Sequence, residues 1–208
     1  MNRSSYGYTL VEVLLIVIVV GIIAGITTVT WNGVTKNYRD KARETDTRSW
    51  MASFENYKNR YFVYPTNPNP ALGTPAGDVT ACLGSFTSYS NKCGQFQSSV
   101  STAYVDATGT NSTNVLTELT KIGNAPNNAG PSLNDALVGP IAFSYVTGSN
   151  PYTVTTQLIN FFENSCPADF TNINASLPTS LANVLTALPS GSTANACALT
   201  KTFTYTTS

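Results

Sequence analysis

The strongest constraint on this chain is an apolar run near its beginning, from Leu10 to Ile26, that contains a single charged residue, Glu12. A helix rises about 1.5 Å per residue and a bilayer core is about 30 Å thick, so roughly 20 apolar residues cross it. Counted over Tyr8–Val29, with threonines at the interface, the run has that length. It predicts a membrane-spanning helix with a carboxylate in its first turns.

Glu12 requires a partner, because an acidic side chain inside hydrocarbon costs about 3 kcal/mol on insertion scales. No Lys, Arg or His lies between Arg3 and Lys36, so the run itself offers no counter-ion. If the chain is cut after Gly7, Tyr8 acquires a free amino group on the same helix face, about 6 Å along the axis from Glu12. We expect that amine to neutralise Glu12 of its own chain or of a neighbouring one.

The stretch Gly7-Tyr8-Thr9-Leu10-Val11-Glu12, followed by the apolar run, resembles the class III signal of type IV pilins and pseudopilins. The resemblance implies a leader over residues 1–7, cleavage after Gly7 by prepilin peptidase, and N-methylation of Tyr8. It gives Glu12 a role in assembly with other pilin subunits. It also implies that the chain lies in the cytoplasmic membrane first and in a pilus at the cell surface afterwards.

Two other interpretations of the apolar run remain open. A secretory signal peptide needs a small-x-small cleavage site after its core, and Ala24-Gly25-Ile26 supplies a poor one. A plain single-pass anchor explains the length but leaves Glu12 unpaired. The anchor corresponds to an alternative function, a membrane-anchored surface binding or adhesion module that does not polymerise.

Charge and composition argue against several function classes. The chain has 11 Lys and Arg and 11 Asp and Glu residues, and beyond residue 60 it shows no basic stripe typical of nucleic-acid binding. It has no histidine, which excludes Ser-His-Asp and Cys-His catalysis. The acidic residues beyond position 60 are scattered, without a dense cluster for calcium. We therefore predict no enzyme, no cofactor and no metal site.

Four cysteines follow the apolar run, at Cys82, Cys93, Cys166 and Cys197, and no pair has CxxC spacing. They predict two disulfides in a domain exported from the cytoplasm. Of the three possible pairings, the one with the shorter loops joins Cys82 to Cys93 and Cys166 to Cys197. The basic residues after Thr35 point to the opposite membrane orientation. We give that count less weight, because acidic residues dilute the cluster.

Beyond the run, helical periodicity continues. Apolar or small residues recur at Val34, Tyr38, Ala42 and Thr45, followed by an aromatic stripe at Trp50, Phe54, Tyr57 and Tyr61. The pattern predicts one helix from Thr9 to Arg60, with residues 8–30 as the membrane and assembly helix and residues 31–64 as its amphipathic continuation. The Tyr57 and Tyr64-Pro65-Thr66 spacing is similar to the helix exit of type II secretion pseudopilins, and Pro65 is expected to end the helix.

Residues 65–208 are predicted to form one globular domain outside the cytoplasm. Alternating residues indicate a hairpin of Ile141–Val146 and Tyr152–Ile159, and a last strand over Ala198–Thr206. Short helices are expected at Val115–Leu119 and Leu181–Leu188. The predicted fold class is α+β and pilin-like: a long N-terminal helix packed on an antiparallel sheet.

Overall fold

The computed structural model describes residues 8–66, 78–123, 125–127, 129–148, 151–186, 188 and 193–205, with the backbone alone for 27–30 and 32. The chain divides into two compact units, Met1–Tyr38 and Arg39–Ser208, which are treated separately below. One α-helix of 52 residues, α1 (Leu10–Tyr61), contributes to both units. The predicted long helix is therefore confirmed, to within one residue at each end.

In the first unit, the large apolar side chains of α1 that the structure describes are exposed, from 45% at Val19 to 83% at Leu10. A helix that is apolar on every side is normally covered by protein or lipid. Among the described residues, no helix combines the length and the apolar character needed to cross a membrane. The described apolar run, Leu10–Ile26, has 17 residues and is about 25 Å long. The described residues therefore do not confirm the predicted membrane-spanning helix.

In the second unit, α1 buries one stripe of side chains at three- and four-residue spacing: Asp40, Arg43, Thr47, Trp50, Phe54 and Tyr57. The sequence predicts the aromatic part of this stripe, although Tyr61 is 38% exposed. The periodicity of the preceding turns correctly predicts a helix but does not mark a buried face. Val34 and Tyr38, in the first unit, are 58% and 75% exposed, whereas the polar Asp40 and Arg43 of the second unit are buried.

The described part of the second unit contains eight strands and a second helix. The strands are β1 (Val79–Cys82), β2 (Lys92–Gln95), β3 (Tyr104–Asp106), β4 (Leu137–Val138), β5 (Ile141–Thr147), β6 (Tyr152–Phe162), β7 (Thr171–Asn172) and β8 (Asn195–Tyr205). The helix α2 (Thr110–Thr120) lies between β3 and β4. A five-stranded sheet has the order β1-β5-β6-β8-β7 and a smaller one the order β3-β2-β4. All pairings are antiparallel, which confirms the predicted α+β class.

The larger sheet carries a core on each face. On β6, Val154, Leu158 and Phe162 belong to the cluster that includes Trp50 and Phe54 of α1. Ile159 and Phe161 alternate with them and join a cluster on the opposite face. Burial on both faces explains why the second half of β6, Leu158–Phe162, is apolar except at Asn160. The predicted hairpin is confirmed, and β8 begins three residues before the predicted strand.

The connecting segments differ most from the sequence-based expectations. A helix over Leu181–Leu188 is wrong: a 3₁₀ turn at Thr179–Leu181 is followed by irregular turns. The Asn183 N–H donates to the Thr102 carbonyl over 3.4 Å, so this backbone donor is used outside any helix. The α2 helix is longer than expected, and the short strands of the smaller sheet are absent from the prediction. Most of the predicted loop 65–78, residues 67–77, lies outside the described residues.

Candidate functional site

The N-terminal segment carries the most specific sequence signal. Gly7, and with it the predicted cleavage site, lies outside the described residues. Tyr8, the predicted methylation site, is 76% exposed and precedes the first helical residue, Leu10. The side chain of Tyr8 is therefore open to another molecule.

Glu12 has a partner that the sequence analysis missed. The Thr9 N–H donates to Glu12 Oε2, and the Glu12 N–H donates to Thr9 Oγ1, each over 3.4 Å. Thr9 is the residue before the helix and Glu12 its third residue, so the pair forms a capping box. The local signal was the Thr-x-x-Glu spacing. The arrangement satisfies two N–H groups of the first turn and places a negative charge at the positive end of the helix dipole.

A buried ion pair fixes α1 to the rest of the second unit. The Arg43 side chain is 1% exposed, and its Nη1 lies 2.7 Å from Asp40 Oδ1 and 3.6 Å from Glu163 Oε1. Its Nε and Nη2 donate to the carbonyls of Pro131 and Ser132, over 3.0 and 2.7 Å. Burial lowers the pKa of Arg43, while the carboxylates of Asp40 and Glu163 oppose that shift. Every guanidinium nitrogen thus has a partner, as a buried cation requires.

The same joint is completed from the sheet side. Asp40 accepts hydrogen bonds from the backbone N–H groups of Glu163 and Asn164, over 3.0 and 2.9 Å. One turn along α1, Asn160 Nδ2 of β6 donates to Thr47 Oγ1 over 3.1 Å. The polar half of the α1 stripe therefore sets the position of the helix along β6.

The helix exit is also tightly held. Phe62 adopts a left-handed φ of 60° and ends α1, and Tyr64 that follows is 1% exposed. The Tyr64 N–H donates to the Tyr205 hydroxyl over 3.1 Å, and its own hydroxyl donates to Glu55 over 2.9 Å. Tyr57 donates a hydrogen bond to the carboxylate of Glu118 in α2. The tyrosines of the predicted exit motif therefore connect α1 to β8 and α2.

Both predicted disulfides are confirmed. Cys82–Cys93 joins β1 to β2, and so links the two sheets, with a Cα–Cα distance of 5.8 Å. Cys166–Cys197 joins the segment after β6 to β8, at 5.6 Å. The first bond therefore joins two sheets, and the second joins a loop to the larger sheet.

The described residues contain no group of three or more side chains suited to a metal ion. A cavity of about 460 Å³ lies between α1 and β8, lined by Arg48, Met51, Ala52, Glu55, Asp169, Leu199, Thr200 and Lys201. A smaller one of about 240 Å³ lies at the start of α2. Neither lining contains a histidine, which the sequence lacks, or a free thiol, since the cysteines at positions 82, 93, 166 and 197 are bonded.

Comparison of the chain with models of protein families finds no match, and neither do searches of curated proteins and of solved structures.

Proposed function

We propose that this chain is a structural subunit, major or minor, of a type IV pilus or a related pseudopilus. It is cleaved by prepilin peptidase after Gly7 and polymerises through its N-terminal helix. The observation that carries the proposal is the first part of α1, whose apolar side chains are exposed on every side directly after the Gly7-to-Glu12 signal. In a filament outside the membrane, packing against copies of the same helix would keep those side chains out of water, whose contact costs about 25 cal/mol per Å² of apolar surface.

Before assembly, the same helix would hold the chain in the cytoplasmic membrane. The continuously described apolar run, Leu10–Ile26, is about 25 Å long, some 5 Å less than a bilayer core. In the sequence, no charge occurs between Glu12 and Lys36, so the threonine-rich continuation from Thr27 to Trp31 can complete a span. The domain beyond would lie outside the cytoplasm, where its two disulfides persist.

The capping box supports a second candidate, the membrane-anchored surface binding or adhesion module that does not polymerise. In that case Glu12 needs no neighbouring subunit, because Thr9 of the same chain already donates a hydrogen bond to its carboxylate. A static anchor also has no use for cleavage after Gly7. Processing and the role of Glu12 therefore separate the two candidates.

The first test is the intact mass of the protein purified from its native host. We expect loss of residues 1–7 and one methyl group on Tyr8, and no loss in a host without prepilin peptidase. A mature chain that keeps the leader, or that begins after Ala24, refutes the pilin proposal.

The second test compares Glu12→Ala with Thr9→Val. Each variant removes one of the two capping-box hydrogen bonds, at a cost of about 1 kcal/mol to the helix end, but only Glu12→Ala removes the charge. If the carboxylate pairs with the methylated amine of Tyr8 in a neighbouring subunit, Glu12→Ala lowers incorporation into sheared filaments and Thr9→Val does not. The melting temperature of the second unit should stay unchanged in both. Equal incorporation of the two variants means that Glu12 acts only as a cap.

A further inference from the structure

The outer edge of β8 is only partly used by the fold. Its inner edge pairs with β6 from Asn195 to Tyr205, whereas β7 covers the outer edge only at Cys197 and Ala198. The stretch Leu199–Tyr205 therefore faces no strand among the described residues, over about 23 Å at 3.3 Å per residue. An open edge of this length is a template for an added strand.

The backbone groups that point outward can be assigned from the hydrogen bonds of β7. The carbonyl of Ala196 accepts from the Ile173 N–H over 2.9 Å, so Ala196 faces outward. The register with β6 is continuous, and N–H and C=O groups alternate in direction along a strand. The outward N–H and C=O groups of the open stretch therefore belong to Thr200, Thr202 and Thr204. The side chains between them, Lys201 and Phe203, lie on the face of the sheet that carries α1.

The cavity of about 460 Å³ lies directly beside this edge. Its lining joins Met51 and Ala52 of α1 to Leu199 and Lys201 of β8. An added strand would place every second side chain on the α1 face, over this cavity. Backbone pairing combined with a pocket for alternate side chains is the recognition mode of strand-addition sites.

Charge indicates which peptide fits. Around the cavity, Arg48 already pairs with Glu44 and Asp169, and Glu55 pairs with Lys58. Lys201 is exposed and has no ion-pair partner among the described residues. A strand with an acidic residue opposite Lys201 supplies that partner, and apolar residues two positions away cover the apolar cavity wall.

The same lysine disfavours a second copy of this edge. Two β8 strands paired about Lys201 or Thr202 would place their Lys201 side chains opposite or diagonal to each other, at most about 8 Å apart. Edge lysines commonly prevent such self-pairing.

We infer that the open stretch Leu199–Tyr205 is an acceptor site for an extended peptide of another protein. The peptide pairs antiparallel with the outward groups of Thr200, Thr202 and Thr204. It places an acidic side chain opposite Lys201, with apolar side chains on either side of it over the cavity. The inference stands apart from the proposed function, since neither cleavage nor polymerisation is needed for it.

The test uses the purified full-length chain and the peptide acetyl-Ser-Thr-Leu-Thr-Glu-Thr-Val-amide, with the glutamate opposite Lys201. We expect saturable binding with a Kd of about 1 mM or tighter. N-methylation of the two threonines that flank the glutamate blocks the amides facing β8 and should abolish binding. N-methylation of the leucine and the glutamate, whose amides face away from β8, should leave binding intact. Equal effects of the two patterns, or no binding, overturn the inference.

Variants of the protein provide a matched pair. Thr202→Pro removes one outward N–H without breaking a bond to β6, and should weaken the peptide about tenfold, whereas Thr202→Val should bind normally. Lys201→Glu should reject the glutamate peptide and accept its lysine counterpart. Unchanged affinity of Thr202→Pro overturns the inference.

Hydrogen exchange identifies any other occupant. In the free chain, the amides of Thr200, Thr202 and Thr204 should exchange quickly and those of Lys201 and Phe203 slowly. The peptide should slow the first set. Slow exchange in the free, monomeric chain would mean that another part of this chain covers the edge. Slow exchange only in a dimer that Thr202→Pro dissociates would identify a second copy. Either result overturns the assignment to a foreign peptide.

Discussion

The buried pair of Arg43 and Asp40 permits a sharp test of what holds α1 on the sheet. Asp40→Ala removes the acceptor nearest to Arg43 Nη1, at 2.7 Å, and leaves a guanidinium with 1% exposure close to Glu163 alone. Breaking a buried pair costs about 3–5 kcal/mol, because an uncompensated charge remains. Glu163 stays at 3.6 Å and reduces the loss, but the backbone N–H groups of Glu163 and Asn164 also lose their acceptor, so we expect about 4 kcal/mol, or about 12 °C in melting temperature.

The neighbouring pair Lys41–Glu44 is the matched control. It has the same i,i+3 spacing on the same helix and an N–O distance of 2.8 Å, but the lysine side chain is 78% exposed. Lys41→Ala should therefore cost no more than about 0.5 kcal/mol. The assay is urea unfolding of the full-length chain, followed by the fluorescence of Trp50, which is fully buried. A Trp31→Phe background makes Trp50 the single reporter.

A double-mutant cycle identifies the cause of the loss. Asp40→Ala combined with Arg43→Met removes both charges, so the pair should cost clearly less than the sum of the single changes. The reasoning fails if Asp40→Ala is no more harmful than Lys41→Ala, or if the two changes simply add.

Two further predictions concern the sheet. Burial raises the pKa of Tyr205 from 10.0 to about 12. Below pH 10 its hydroxyl is protonated in both the folded and the unfolded chain, so its ionisation does not change the free energy of unfolding. Between pH 10 and 12 it loses its proton in the unfolded chain but not in the folded one. The ionisation of Tyr205 should therefore lower the free energy of unfolding by up to about 3 kcal/mol over that interval. In Tyr205→Phe the free energy of unfolding, measured with urea at each pH, should fall less steeply between pH 10 and 12. The same dependence on pH in both proteins would contradict this. Replacing both cysteines by alanine should cost about 3 kcal/mol for Cys82–Cys93 and about 4 for Cys166–Cys197, whose separations are 11 and 31 residues. The opposite order of urea midpoints would show that loop length does not decide the effect.

The sequence predicts those parts of the fold that apolar periodicity encodes. Trp50, Phe54 and Tyr57 mark the buried face of α1, and the alternation in β5 and β6 marks the hairpin. The polar half of the α1 stripe is invisible to the same rule, because Asp40 and Arg43 look like solvent-exposed charges until their partners are known. Those partners lie some 90 to 125 residues away along the chain, in the segments around Pro131 and Glu163.

The candidate site shows the same division. The Gly7-to-Glu12 signal and the Thr9-x-x-Glu12 spacing of the capping box are both local, so each can be recognised from the sequence alone. The open edge of β8 could not be predicted, because a strand pattern does not say where its neighbours stop. β7 begins only at Thr171, opposite Ala198, and no strand precedes it along this edge, so Leu199–Tyr205 faces no strand in the part of the chain that the structure describes.

The place of β8 in the sheet has a consequence for biogenesis. This strand, the last that the structure describes, lies between β6 and β7 rather than at the sheet margin, and its Cys197 and Leu199 share a core with Trp50, some 150 residues earlier. Such distant contacts form late in folding, because a long loop must close first. A chain that lacks β8 would leave the apolar side chains of β6 and α1 without these partners and would therefore be open to proteases.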